Sequence, residues 1–250
     1  MVDIHSHILH GLDDGPKTLD EAAAMLRLAA ESGTTDIVAT PHANFQYAFN
    51  PEATDEKIRE LAQASGGAPR IHRGCEFHLY FENIERALAD PARFTINGKR
   101  YLLVEFSDVI VLNSAGDVFG RMLAAGMTPV ITHPERNAML ARSLDGVGRW
   151  VAAGCRVQVT AQSFLGRFGQ RAQKAVERFM ERGLAHFVAS DAHDAKRRAP
   201  VLAEAYQHVA ERYGERRAKA LFVTNPRAVL EGGPVEATVP GAEPRAWWRW

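Results

Sequence analysis

Val2-Asp3-Ile4-His5-Ser6-His7 opens the chain as a β-branched, alternating run that stops on two histidines. Side chains alternate across a strand with period two, so His5 and His7 share one side of an extended segment. Six more short apolar runs follow the same pattern, at 36–40, 70–76, 101–106, 129–132, 156–160 and 186–190. Between them lie stretches at helical spacing. The first starts at Thr18-Leu19-Asp20-Glu21, where hydroxyl and carboxylate can form a capping box, and stops at Gly33. Further helices are expected at 52–64, 81–88, 114–125, 144–153, 170–182 and 201–213, several closed by glycine. Strand and helix in alternation imply a parallel sheet, and seven such units suit a distorted (β/α)7 barrel better than an open sheet. The expected organisation is one α/β domain over 1–231 and a tail over 232–250, where Trp247, Trp248 and Trp250 cluster.

Composition narrows the partners. Thirty basic and thirty acidic residues cancel, which removes the broad electrostatic case for nucleic acid or an anionic membrane. No run approaches the ~20 apolar residues of a membrane span, and Met1-Val2-Asp3 lacks the basic flank of an export signal. The two cysteines, Cys75 and Cys155, sit inside apolar runs, so no disulfide framework is expected and a cytoplasmic location fits. Neither cysteine has an arginine at the spacing a thiol-dependent phosphatase needs: the corresponding positions hold Phe81 and Ala161. No Gly-x-Ser-x-Gly elbow marks a serine hydrolase.

The polar residues gather where the apolar runs stop. These are His5 and His7 with the following Asp14, then His42, Glu76, Glu105, His133, and the pair Asp191 and His193. In a parallel barrel all strand carboxyl ends open on one face, so residues far apart in sequence converge there. Any one of them alone would read as a cap or a surface group. Together they place four carboxylates in one region, a costly arrangement unless cations accompany them. Nine donors are too many for one ion and suit two or three sharing a bridging carboxylate. Three divalent ions would leave a small net positive charge, suited to an anionic substrate. Mixed imidazole and carboxylate donors fit manganese, iron or zinc. Arg136, just past the fifth strand end, can clamp phosphate oxygens, and Arg198 offers a second clamp or belongs to a solvated Lys196-Arg197-Arg198 turn.

The order His-x-His, Asp-Gly, Thr-Pro-His, Gly-x-Glu, Glu-Phe, Thr-His-Pro-Glu-Arg, Ser-Asp-Ala-His resembles the polymerase-and-histidinol-phosphatase superfamily. Asp3-Ile4-His5-Ser6-His7, Gly11-Leu12-Asp13-Asp14-Gly15, Thr132-His133-Pro134-Glu135-Arg136 and Ser190-Asp191-Ala192-His193 are similar to its manganese-dependent protein-tyrosine phosphatases of bacterial capsule and exopolysaccharide systems. The resemblance implies three Mn2+ ions: one on His5, His7, Glu76 and Asp191, one on Glu76, Glu105 and His133, and one on Asp14, His42 and His193. It also implies a phosphate contact from Arg136 and a tyrosine autokinase as partner. Ala43, Ser107 and Asn137 stand where that branch commonly has histidine, proline and tyrosine, which bears on substrate preference.

The reaction this implies is hydrolysis of a phosphate monoester by a hydroxide bridging two metals, with Arg136 and His133 at the reacting centre. Phosphotyrosine suits it, because a phenolate with pKa ~10 departs without strong acid help. The competing expectations are a small-molecule phosphatase acting on a compound such as histidinol phosphate, and a metal-binding regulatory module without turnover. Phe45, Tyr47 and Phe49 either wall a slot for an aromatic ring or pack their loop down, and the oligomeric state stays open.

Overall fold

The structure, a computed structural model, describes residues 1–107 and 114–236; the tryptophan cluster of the expected tail lies outside the described residues. Among the described residues nine strands run β1 Val2–Ser6, β2 Asp36–Ala39, β3 His42–Ala43, β4 Arg70–Arg73, β5 Glu76–His78, β6 Tyr101–Glu105, β7 Thr128–Thr132, β8 Arg156–Thr160 and β9 Phe187–Ala189. Every pairing between them is parallel. They form two sheets, in the orders β1-β2-β4 and β3-β5-β6-β7-β8-β9.

A separate short strand at His42–Ala43 therefore follows the expected 36–40 strand, and the expected 70–76 strand is divided after Arg73. The break after β2 falls at Thr40-Pro41, where proline offers no N–H to a ladder. The break after β4 falls at Gly74-Cys75, where the backbone presses so closely on its neighbours that a Cβ on Gly74 would meet Val38 Cγ1 at 2.9 Å. Hydrogen bonding nevertheless carries across both breaks: Gly74 N donates to Ala39 O at 2.9 Å and Glu76 N to Pro41 O at 3.0 Å. At the other edge, the segment after β9 runs beside β1. Asp191 N donates to His5 O at 2.9 Å, and His7 N to Ala192 O at 2.8 Å.

The helices alternate with the strands as the periodicity predicts. Leu19–Glu31 begins with the expected capping box between Thr18 and Glu21. It turns Ala22, Met25, Leu26 and Ala29 inward, onto a core that includes Ile8, Leu9 and Ile37. Short helices Pro91–Phe94, Ala161–Phe164, Glu215–Lys219 and Asn225–Glu231 were not apparent from periodicity, because four to seven residues hold too little of a 3.6-residue period. Among the described residues no helix is long and apolar enough to cross a membrane.

Below the carboxyl ends of the strands, Val2, Ile4, Leu103, Val130, Phe187 and Ala189 form a buried cluster. His186 lies below it, 2 % exposed, with Nδ1 accepting from Val157 N at 3.2 Å. Burial and the nearby Arg156 push its imidazole from the ordinary 6.5 down to about 3, so it is folded in neutral and protonates more readily in the unfolded chain. The unfolded state then binds the extra proton between those two values, and stability falls as pH drops through that window. His186→Asn is expected to flatten the pH dependence of the urea midpoint below pH 6.5. Gly74→Ala is expected to cost about 1–3 kcal/mol through overpacking, read as a lower midpoint at unchanged slope.

Candidate metal centre

All nine donors picked out at the strand ends come together, although they span residues 5 to 193. Glu76, at the start of β5 and fully buried, is the centre of the cluster. Its Oε1 lies 2.9 Å from His133 Nε2 and 3.2 Å from His5 Nε2, while Oε2 lies 3.2 Å from His42 Nδ1 and 3.3 Å from His7 Nε2. One carboxylate thus faces two pairs of imidazoles, the disposition a bridging ligand requires. Asp191 Oδ1 sits 3.4 Å from His5 Nε2 and 3.5 Å from His7 Nε2. Asp14 Oδ1 joins His42 Nε2 at 3.4 Å and His193 Nε2 at 3.3 Å.

Donor atoms that could share one ion fall into three groups: His5, Glu76, His133 and Asp191; His7, Asp14, His42 and His193; and His42, Glu76 and Glu105. The lines between groups differ from those the resemblance implies, with His7 and His133 exchanging company and His42 joining two sets. The reason is the two-sided reach of Glu76, which brings both histidine pairs equally near.

Three features show that these residues fit cations. Glu76 Oε2, Asp191 Oδ1 and His42 Nδ1 are buried and make no hydrogen bond among the described residues. Burial, Glu76 and Asp191 push the Glu105 carboxyl up to about 9, the signature of negative charges crowded without enough positive charge. The donor set itself, imidazoles with carboxylates and no thiolate, suits manganese, iron or zinc.

A second layer fixes the donors. Asp13 Oδ2 holds His7 Nδ1 at 2.7 Å, and Gln158 Oε1 on β8 holds His5 Nδ1 at 2.8 Å, turning both Nε2 atoms inward. Asp13 also accepts from Gly15 N at 2.9 Å and His42 N at 3.1 Å, so one carboxylate ties the Asp-Asp-Gly loop to the His42 strand. Only glycine fits at position 15, since a Cβ there would lie 2.3 Å from His7 O. Thr132 Oγ1 donates to Glu76 Oε1 at 3.0 Å. His133 and Asp191 both adopt positive φ, at 32° and 50°, a conformation uncommon outside glycine.

Arg136 and Arg198 both reach the cluster. Arg136 Nη1 and Arg198 Nη2 donate to the same oxygen, Asp191 Oδ2, the latter at 2.5 Å. Burial works against Asp191 ionising, but His5, Arg136 and Arg198 hold its carboxyl far below the usual range. Arg198 points inward from a turn whose Lys196 and Arg197 N–H groups both bond Asp194 Oδ1 at 2.6 Å. Phe168 lies beneath the two guanidiniums, 4.3 Å from Arg136 Cζ and 6.0 Å from Arg198 Cζ. Sequence reading missed Phe168, Gln158 and the anchoring role of Asp13. Of these, only Asp13 carried a signal, in the Asp13-Asp14-Gly15 pair. The cysteines are packing groups: burial pushes the Cys155 thiol up to about 12 and the Cys75 thiol still higher.

Parallel strands that bring clusters of His, Asp and Glu able to hold metal to their carboxyl ends define a class of α/β metal-site protein. The chain belongs to the family described as capsular polysaccharide synthesis, CpsB/CapC, whose model matches residues 1–231. Tyrosine-protein phosphatase CpsB of Streptococcus pneumoniae is 34% identical over 239 residues, covering 92% of this chain and 98% of its own. Tyrosine-protein phosphatase YwqE of Bacillus subtilis strain 168 is 35% identical over 202 residues, 79% of each chain. Among solved structures, one from a study of YwqE and CpsB as metal-dependent tyrosine phosphatases superposes with a TM-score of 0.86 at 30% identity, covering 96% of this chain and 98% of that one. The lactonase Lmo2620 of Listeria monocytogenes, at 12% identity and a TM-score of 0.60, shares the fold alone.

Cation binding that repairs this charge crowding must stabilise the folded chain. Stripping with a chelator is expected to lower Tm and excess Mn2+ to restore it, each site adding about 2.7 kcal/mol of folding free energy at a hundredfold excess over its Kd. Scanning fluorimetry of wild type beside Glu76→Gln checks this, the variant losing most of the response.

Proposed function

We propose that this chain is a metal-dependent phosphate monoester hydrolase that dephosphorylates tyrosine in proteins, within the control of capsule or exopolysaccharide synthesis. The observation that carries the reading is Glu76 set between two histidine pairs and ringed by the other donors, in a family whose relatives are tyrosine-protein phosphatases. Residues 1–231 are the phosphoesterase domain. The two sheets are parts of one distorted seven-stranded barrel, a reading supported by the hydrogen bonds across the strand breaks and between β1 and residues 191–192. A bacterial tyrosine autokinase in the cytoplasm is the partner this reading favours.

His5, His7, Asp14, His42, Glu76, Glu105, His133, Asp191 and His193 would hold three divalent ions, with Mn2+ preferred and Fe or Zn compatible. When bound, such ions polarise the phosphoryl group and make water a competent nucleophile near neutral pH. The protein supplies the rest. Asp13, Gln158 and Thr132 fix the donors. Arg136 and Arg198, 24% and 27% exposed, each spend a donor on Asp191 and keep others for phosphoryl oxygens. Their charge opposes the negative charge that builds as the bond to the phenolic oxygen breaks.

The test is turnover of a phosphotyrosine peptide, a phosphoserine peptide and histidinol phosphate by stripped and Mn2+-loaded protein. Mn2+-restored activity on phosphotyrosine is expected, with Arg136→Ala lowering kcat/KM by about 10²–10³ and His133→Ala abolishing it. A preference for histidinol phosphate would keep the metal chemistry and overturn the substrate. Absence of turnover on all three would overturn the enzyme.

A further inference from the structure

A cavity of ≈ 580 Å³ opens beside Asp14, His42 and Glu105, and its other side is aromatic, with Phe45, Tyr47 and Phe106 in the lining. Phe45 is 81% exposed, whereas Phe49, four residues on in the same loop, is 6% exposed and packs on Phe94. An exposed phenylalanine forfeits the stabilisation that burial would bring. Here the loop does not leave it free to collapse. Asn44 Oδ1 accepts from both Gln46 N and Tyr47 N at 2.9 Å, and Asn44 N donates to Tyr47 O at 3.0 Å. The Phe45 ring instead stands against Tyr80, with centroids 4.2 Å apart and planes 28° from parallel. Tyr47 stacks on the ligand candidate His42 at 6.0 Å and 13°. Phe106 is held from behind by Trp150, stacked at 5.4 Å and 11°.

We propose that Phe45, braced by Tyr80 from outside the cavity lining, is the wall of an aryl subsite, which receives the phenyl ring of a phosphotyrosine side chain while its phosphoryl group meets the donors Asp14, His42 and Glu105. This rests on the phosphatase reading above and adds the element that selects the substrate. The same cavity is lined by the candidate metal ligands and by Phe45, so a ring joined to phosphorus through one oxygen has an aromatic side chain to stack on within the one cavity. A phosphoserine side chain has no ring to place there. Discrimination between aryl and alkyl phosphates then comes from binding as well as from the leaving group.

Metal-loaded full-length protein, wild type and Phe45→Ala, Phe45→Trp and Tyr80→Ala, is assayed with a phosphotyrosine peptide and with phenylphosphonate and inorganic phosphate as competitive inhibitors. Phe45→Ala is expected to raise KM for the peptide and Ki for phenylphosphonate about five- to tenfold, leave kcat and Ki for phosphate within about twofold, and be rescued by Phe45→Trp. Tyr80→Ala should act in the same direction. Equal shifts for phosphate and phenylphosphonate, or none for either, overturn the subsite while leaving the phosphatase intact. Unchanged kinetics with loss of a dimer in Phe45→Ala would assign the patch to a second copy of the chain and overturn it as well. A wild-type chain that turns over no phosphotyrosine peptide overturns the parent reading and the subsite together.

Discussion

The fully buried carboxylate of Glu76, shared among four imidazoles, is the contact on which the arrangement of this protein depends. A charge of that kind is expensive to bury, and its cost is offset only when positive charge or several donors surround it. His5 lies in β1 and His7 just past its end, His42 starts β3 and His133 directly follows β7, so satisfying one side chain fixes the relative position of strands remote in sequence. The split strands serve the same end. By ending β2 at Ala39 and β4 at Arg73, the backbone redirects His42 and Glu76 toward the centre, which an unbroken strand would not do.

Around this contact, rigidity is built by side chains that hold the donors and by the backbone that carries them. Asp13 and Gln158 fix ring orientation, Gly15 lets the Asp13-Asp14 loop pass against His7, and positive φ at His133 and Asp191 marks where the backbone is bent to aim a side chain. Glu135 adds a tie of a different kind. Its Oε1 accepts from Thr160 N at 2.9 Å and Ser163 Oγ at 2.7 Å, joining the turn that carries His133 and Arg136 to the end of β8. Conformations as costly as these persist when the surrounding structure over-determines them.

Much of this was legible in the sequence for a physical reason: metal donors and strand periodicity are local signals. The i, i+2 pairs His5/His7 and Asp191/His193 and the β-branched runs before them identified both the strands and the face on which the donors meet. What escaped were features set by distance in space. Nothing at Phe168 announces that two guanidiniums from elsewhere will lie over it, and Gln158 reads as an ordinary strand residue until β8 is placed behind β1. Which histidines lie nearest one another likewise depends on which Glu76 oxygen faces which ring, a matter of distance in space. For the aromatic loop, the residues suggested two outcomes, and the structure divides them, with Phe49 packed inward and Phe45 and Tyr47 at the cavity.

The backbone bonds between His5 and Asp191 and between His7 and Ala192 place β1 against a segment near the other end of the domain. Ribosomes add roughly 5–20 residues per second, so once its first strand is made a chain of this kind waits ~10–40 s before the residues that complete its centre exist. During that interval β1 can pair with β2 on one side but lacks the segment at 191–192 that covers its other side. The donor set is therefore complete only once residues 191–193 have been made, late in synthesis.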